Sequence, residues 1–137
     1  MVLELSVVTR SPNSARSDTG EYVIVALRGE CDVTNSHVLR ERLLALLDGQ
    51  APRVILDLTD LAFFDASGAT ALVVADRRAR QFGVTLALAG AQKIVARVLS
   101  LTALDQHFPV YATVAEALAD GQASRGDGTL ATELWED

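Results

Sequence analysis

The sequence predicts an α/β domain: a mixed β-sheet packed against about four α-helices, in the order β-β-α-β-α-β-α-β-α. Three observations lead there. Two strand-like patterns open the chain, separated by a turn-rich stretch. Later apolar runs are too continuous for strands with one wet face. Between those runs lie segments of helical period, the first two closed by Gly49 and Gly83. With 137 residues, half of them hydrophobic, the chain has material for one core and not two.

Met1 to Thr9 alternates apolar and polar residues, as a half-buried strand does. RSPNSARSDTGE (10–21) is a turn cluster, and YVIVALRG (22–29) is a strongly β-forming run, so the two strands are expected to pair as a hairpin. A helix over about 36–49 follows, with Thr34, Asn35 or Ser36 as its cap and Leu39, Leu43, Leu46 and Leu47 on one face. Pro52 bars its continuation. RVILDL (53–58) reads as a strand covered on both sides. The next helix spans about 67–82, with Ala71, Leu72, Ala75, Ala79 and Phe82 as its buried stripe. VTLALAG (84–90) is another buried-type strand. A short helix from Gln92 to Leu101 buries Ile94, Val95, Val98 and Leu99, and a last short strand falls near 108–111. Thr113 followed by Glu116 forms the capping-box pattern of a final helix. Residues 1–120 are thus expected to form the folded body. Residues 121–137 lack sustained period and are expected to be a disordered acidic tail, in which Leu130, Leu134 and Trp135 are the large apolar residues.

Charge narrows the function. The net charge is −6. From Asp120 onward five acids face one base, which leaves −6 − (−4) = −2 for residues 1–119. A nearly neutral body does not suit phosphate-backbone contact, so direct nucleic-acid binding is not expected. Arg77, Arg78 and Arg80 are the tightest basic cluster, and a solvated helix face accounts for them. No apolar run reaches the roughly 18 residues of a membrane helix. The N-terminus lacks the basic-then-apolar pattern of a signal peptide, and Cys31 has no disulfide partner. A cytoplasmic location is expected.

Common catalytic signatures are absent. There is no phosphate loop and no GxGxxG, and His37, His107 and Cys31 lack metal-ligand spacing. No cofactor or metal is expected. The GxSxG elbow is missing too, and neither histidine is placed by sequence to serve Ser67 as a base. An enzyme is therefore not expected. FFDASGATAL (63–72) remains the feature of interest, because a strand pattern turns there into a helix pattern. Ser67 at that corner suits an N-cap or first-turn position, and it also suits a phosphate acceptor at a helix N-terminus. Asp65 reads equally as a cap or turn residue. Asp32 follows the second strand in G-E-C-D. If the two strands are neighbours, both acids emerge at one sheet edge with Ser67, where they can orient its hydroxyl or accept its proton.

Taken together, GECDVTNSHVLRERL, RVILDLTDLAFFDASGATAL and GVTLALAGAQKIVARVLSLTALDQHFPVYATVAEAL resemble the STAS domain, and more narrowly the bacterial anti-sigma factor antagonists. The resemblance covers about residues 2–119. It rests on G-E-x-D after the second strand, the F-x-D-x-S-G corner and the V-L-x-L-T-x-L-D-x-x-F-P-V-Y ending. It implies a sheet flanked by helices on one side and a regulatory role. It further implies that Ser67 is phosphorylated by an anti-sigma factor that is also a GHKL-type serine kinase. The unphosphorylated protein binds that kinase and frees a sigma factor, and a PP2C-like phosphatase restores it. Asp32 and Asp65 match the family's site-flanking acids. The partner-binding surface would comprise Glu30, Asp32, Asp65, Ala66, Ser67, Gly68, Ala69 and Thr70. Two departures stand out. Ala66 replaces a serine found in some members. Ala69-Thr70 replaces a large aliphatic after Gly68, which thins the apolar surface and leaves Thr70 as a secondary acceptor. STAS-like domains also serve as lipid-transporter subunits or stressosome scaffolds, which is the alternative reading.

Overall fold

The computed structural model describes residues 2–10, 22–47 and 51–123. The 11–21 turn cluster, the Gly49 helix stop and the tail from residue 124 lie outside the described residues. Strands β1 (Leu3–Arg10), β2 (Tyr22–Cys31), β3 (Arg53–Phe64), β4 (Thr85–Ala89) and β5 (Val110–Tyr111) form one sheet in the order β1-β2-β3-β4-β5. β1 runs antiparallel to β2, and all later neighbours are parallel. The helices are α1 (Ser36–Leu46), α2 (Ala66–Gln81), α3 (Lys93–Leu101), α4 (Leu104–His107) and α5 (Val114–Ala123).

Alternation along the central strands assigns their two faces. Val25, Leu27, Leu56, Leu58 and Leu88 join Leu39 and Leu43 of α1, Leu72 and Ala75 of α2, and Val95 and Leu99 of α3 in the main core. Ile24, Ile55, Ala87 and Ala89 face the other way and pack with Ala117 of α5. The helices therefore cover both faces, not one as the resemblance implied. α5 covers the second face because a strand that is apolar on both sides needs a second layer. A polar contact fixes α5 there: Arg53 donates Nη2–H to the Ala117 carbonyl at 2.8 Å. At the start of α5, Thr113 Oγ1 accepts the Glu116 N–H at 3.1 Å, one half of the expected capping box.

Several boundaries differ from the sequence reading. β3 continues six residues beyond Leu58, to Phe64, because D-L-T-D is not a connection. Asp57 Oδ1 accepts both the Thr59 N–H (3.1 Å) and its hydroxyl (2.6 Å), so these polar groups are satisfied locally while the strand runs on. α4 was not foreseen, since four residues carry no readable period. It is tied to α2 at Asp76, which is only 5% exposed. Arg80 Nε and His107 Nε2 each lie 3.0 Å from the same Asp76 oxygen. Arg80 thus belongs partly to the interior rather than to a solvated basic face.

Two expected core residues are outside it. Phe82 is 50% exposed and Ile94 is 45% exposed, because Ala79 closes the α2 stripe and Val95 with Leu99 carries the buried side of α3. This distribution yields a stability test. Leu56→Ala should lose about 2–5 kcal/mol in urea unfolding, as a fully buried leucine does, whereas Phe82→Ala should stay within about 0.5 kcal/mol of the parent.

Candidate functional site

The parallel pairing of β2 and β3 ends on the pairs Glu30↔Phe63 and Cys31↔Phe64. The next residues, Asp32 and Asp65, therefore leave the sheet side by side, one strand spacing or about 4.8 Å apart along the ladder. The strand adjacency needed to unite them is present. Cys31, fully buried between the two exits, reports both charges: burial above all, then the Asp65 and Asp32 carboxylates, pushes its thiol up to about 12. Such a thiol stays protonated and unreactive.

Gly29 allows this edge to form. With φ at +100° it occupies backbone space closed to other residues, and a Cβ there would sit 2.1 Å from the Val2 carbonyl oxygen. The register shift between Gly29 and Glu30 follows at once.

Asp65, not Ser67, is the N-cap of α2. Its Oδ1 accepts the N–H of Ser67 at 3.0 Å and, more loosely, that of Gly68 at 3.4 Å. Ser67 lies in the first turn, and its hydroxyl donates to the same Asp65 oxygen at 2.5 Å. The carboxylate therefore caps the helix and orients the hydroxyl at once. Gly68 is required for packing: a Cβ would approach the Phe64 ring to 2.5 Å.

The Asp32 turn repeats the motif. Asp32 Oδ1 accepts the Thr34 N–H at 2.9 Å and the Thr34 hydroxyl at 2.5 Å. These bonds, the hydroxyl first, hold its carboxyl below the ordinary carboxylate value. Asn35 stands at the α1 cap position without capping through its side chain. Instead it is nearly buried, accepting the Asp32 N–H at 3.0 Å and donating to the Glu30 carbonyl at 2.9 Å. This brace was missed as such; an amide three residues after an aspartate at a strand exit was its signal.

The predicted surface residues divide into two groups. Glu30, Asp32, Asp65 and Ser67 are half-buried, and Ala66 and Thr70 are exposed. Gly68 and Ala69 are buried and support the corner from within. Thr70 turns its hydroxyl back to the Ala66 carbonyl at 3.1 Å. Val33, 74% exposed, adds an apolar side chain that the sequence reading did not single out. No group of acids, histidines and cysteine among the described residues is arranged to hold a metal ion.

Residues 13–117 match the STAS domain. The chain belongs to that family. This STAS domain is similar to Rv2638 of Mycobacterium tuberculosis, whose name describes an anti-anti-sigma factor. The two are 31% identical over 125 residues, which span 90% of this chain and 84% of the relative. Its fold is similar to that of a Thermotoga maritima protein described as an anti-sigma factor antagonist (TM-score 0.69, 24% identity, 88% of this chain and 94% of that one). It is also similar to the Bacillus antagonist SpoIIAA in its unphosphorylated form (TM-score 0.65, 23% identity, 91% and 97% covered). The match to the phosphorylated form of SpoIIAA has a TM-score of 0.59 and 21% identity, with 86% and 97% covered.

Two measurements probe the corner. Asp65→Ala should cost about 0.5–2 kcal/mol in thermal or urea unfolding, the range for a lost cap, while Asp65→Asn should retain most of that stability. The Cys31 thiol rises from its ordinary 9.0 to about 12 on folding, so its contribution is complete below about pH 9 and is lost as pH climbs toward 12. Tyr111, raised from 10.0 to about 12 by burial and its bond to Asp120, acts in the same direction. In Cys31→Ala, unfolding free energy measured across that window should fall less steeply than in the parent.

Proposed function

We propose that this STAS domain is an anti-sigma factor antagonist whose binding surface is switched at Ser67. The observation that carries the reading is the Ser67 hydroxyl, already donating to Asp65 at a sheet edge shared with Asp32. In phosphoryl transfer from ATP the Ser67 oxygen attacks the terminal phosphorus, the bond to ADP breaks, and Asp65 accepts the hydroxyl proton. The donor would be an anti-sigma factor with GHKL-type kinase activity, and a PP2C-like phosphatase would reverse the step. Names of relatives as anti-anti-sigma factors and antagonists support this assignment.

Charge accounts for the switch. A phosphoserine brings roughly −1.5 to −2. The N–H groups of Ser67 and Gly68, which a phosphate at a helix start would otherwise use, are already taken by Asp65. The added charge is thus left beside two carboxylates with little local compensation. A partner resting on Ala66, Thr70 and Val33 would have to bury it. A loss of two to three decades in affinity requires only about 3–4 kcal/mol.

Ser67→Ala should bind the anti-sigma partner and resist inactivation, whereas Ser67→Asp should lose at least about two decades of affinity, read by calorimetry. Equal affinity of the two variants overturns the switch. Incubation with candidate kinases and ATP, followed by mass spectrometry, should place the phosphate on Ser67 and not on Thr70.

A further inference from the structure

Helix α3 carries an apolar stripe separate from its buried side. Ile94 is 45% exposed and Leu101 is 75% exposed, with half-buried Val98 between them. Residues spaced by four and then three share one helix face, here about 10 Å long. Lys93 and Arg97, both exposed, border that face. Scattered single aliphatics need no explanation, but two large ones aligned with a third beneath a basic border form a surface with a defined chemistry: apolar, flanked by positive charge.

The sequence contains one segment with the complementary chemistry. Residues 129–137, TLATELWED, interleave Leu130, Leu134 and Trp135 with Glu133, Glu136 and Asp137. From residue 124 onward, four acids and one base give a net −3. The described chain ends with α5 at Ala123, on the sheet face opposite α3, and only the two-residue strand β5 forms the sheet border between them. Leu130 lies seven residues beyond Ala123 and can reach about 23 Å. Two layer spacings of roughly 10 Å each separate the two faces. Leu134 and Trp135, 11 and 12 residues beyond Ala123, extend the reach to about 36–40 Å for the longer path round the sheet border. A segment tethered so closely meets α3 at an effective concentration on the order of mM, well above that of a second copy at μM levels.

We propose that residues 129–137 dock in cis on the α3 face, with Leu130, Leu134 and Trp135 against Ile94, Val98 and Leu101 and the acids against Lys93 and Arg97. The tail is then a built-in cover for α3. The proposal is independent of how Ser67 is read.

Trp135 is the single tryptophan, so its fluorescence reports the contact directly in the full chain. The parent should show blue-shifted emission and weak acrylamide quenching, independent of protein concentration. Leu101→Glu and Arg97→Glu should each red-shift the emission and raise quenching several-fold, with unchanged circular dichroism. Glu133→Arg combined with Glu136→Arg should partly restore the shift in the Arg97→Glu background. Raising NaCl to about 1 M, where the screening length is about 3 Å, should weaken it. Water-like emission in the parent overturns the proposal, as does a blue shift indifferent to the α3 variants. A blue shift that disappears on dilution assigns the contact to a second copy and overturns docking in cis.

Discussion

The parallel pairing of β2 with β3 is the interaction on which the corner depends. It carries the two longest strands past the end of β4 and delivers their last residues, Cys31 and Phe64, in register. Everything at the corner is counted from that pair. The acids follow one residue later, the Asp-bound hydroxyls of Thr34 and Ser67 three residues later, and helices α1 and α2 start close by. A slip of one residue would send one carboxylate to the opposite face of the sheet. The backbone is closely packed near both exits, Gly29 against β1 and Gly68 against the Phe64 ring.

Asp65 links structure to chemistry. As an N-cap it answers backbone donors that any helix start leaves open, and a negative charge there is favoured by the helix dipole. The same oxygen holds the serine proton. A residue with both duties cannot be removed to test one alone, which is why the asparagine exchange is informative: it keeps an acceptor for the helix and gives up the charge.

The fold was legible wherever apolar period was strong. The strands over 22–29, 53–58 and 84–90 and the leucine face of α1 came from pattern alone, since burial is what pattern encodes. The extension of β3 was not legible, because Asp57 and Asp60 look like turn residues and only the local bonds to Thr59 show otherwise. Periodicity also places Ile94 and Phe82 in the core, for a related reason. Periodicity identifies a face to within one position, while the neighbouring layer decides which edge of that face is covered. At the site, Asp65, Asp32 and Ser67 could be singled out from sequence. Which of Asp65 and Ser67 caps the helix could not, because both suit that position and the choice lies in the backbone at residue 65, φ −128° and ψ −170°.

The contact between Gly68 and Phe64 closes the inner side of this corner. The aromatic ring, 2% exposed, fills the volume behind the first turn of α2 so closely that not even a methyl group can be added. That side of the turn is closed to added atoms. Bulk added to this turn has to be accommodated on its outer side, at Ala66, Ser67 or Thr70, and not against the sheet.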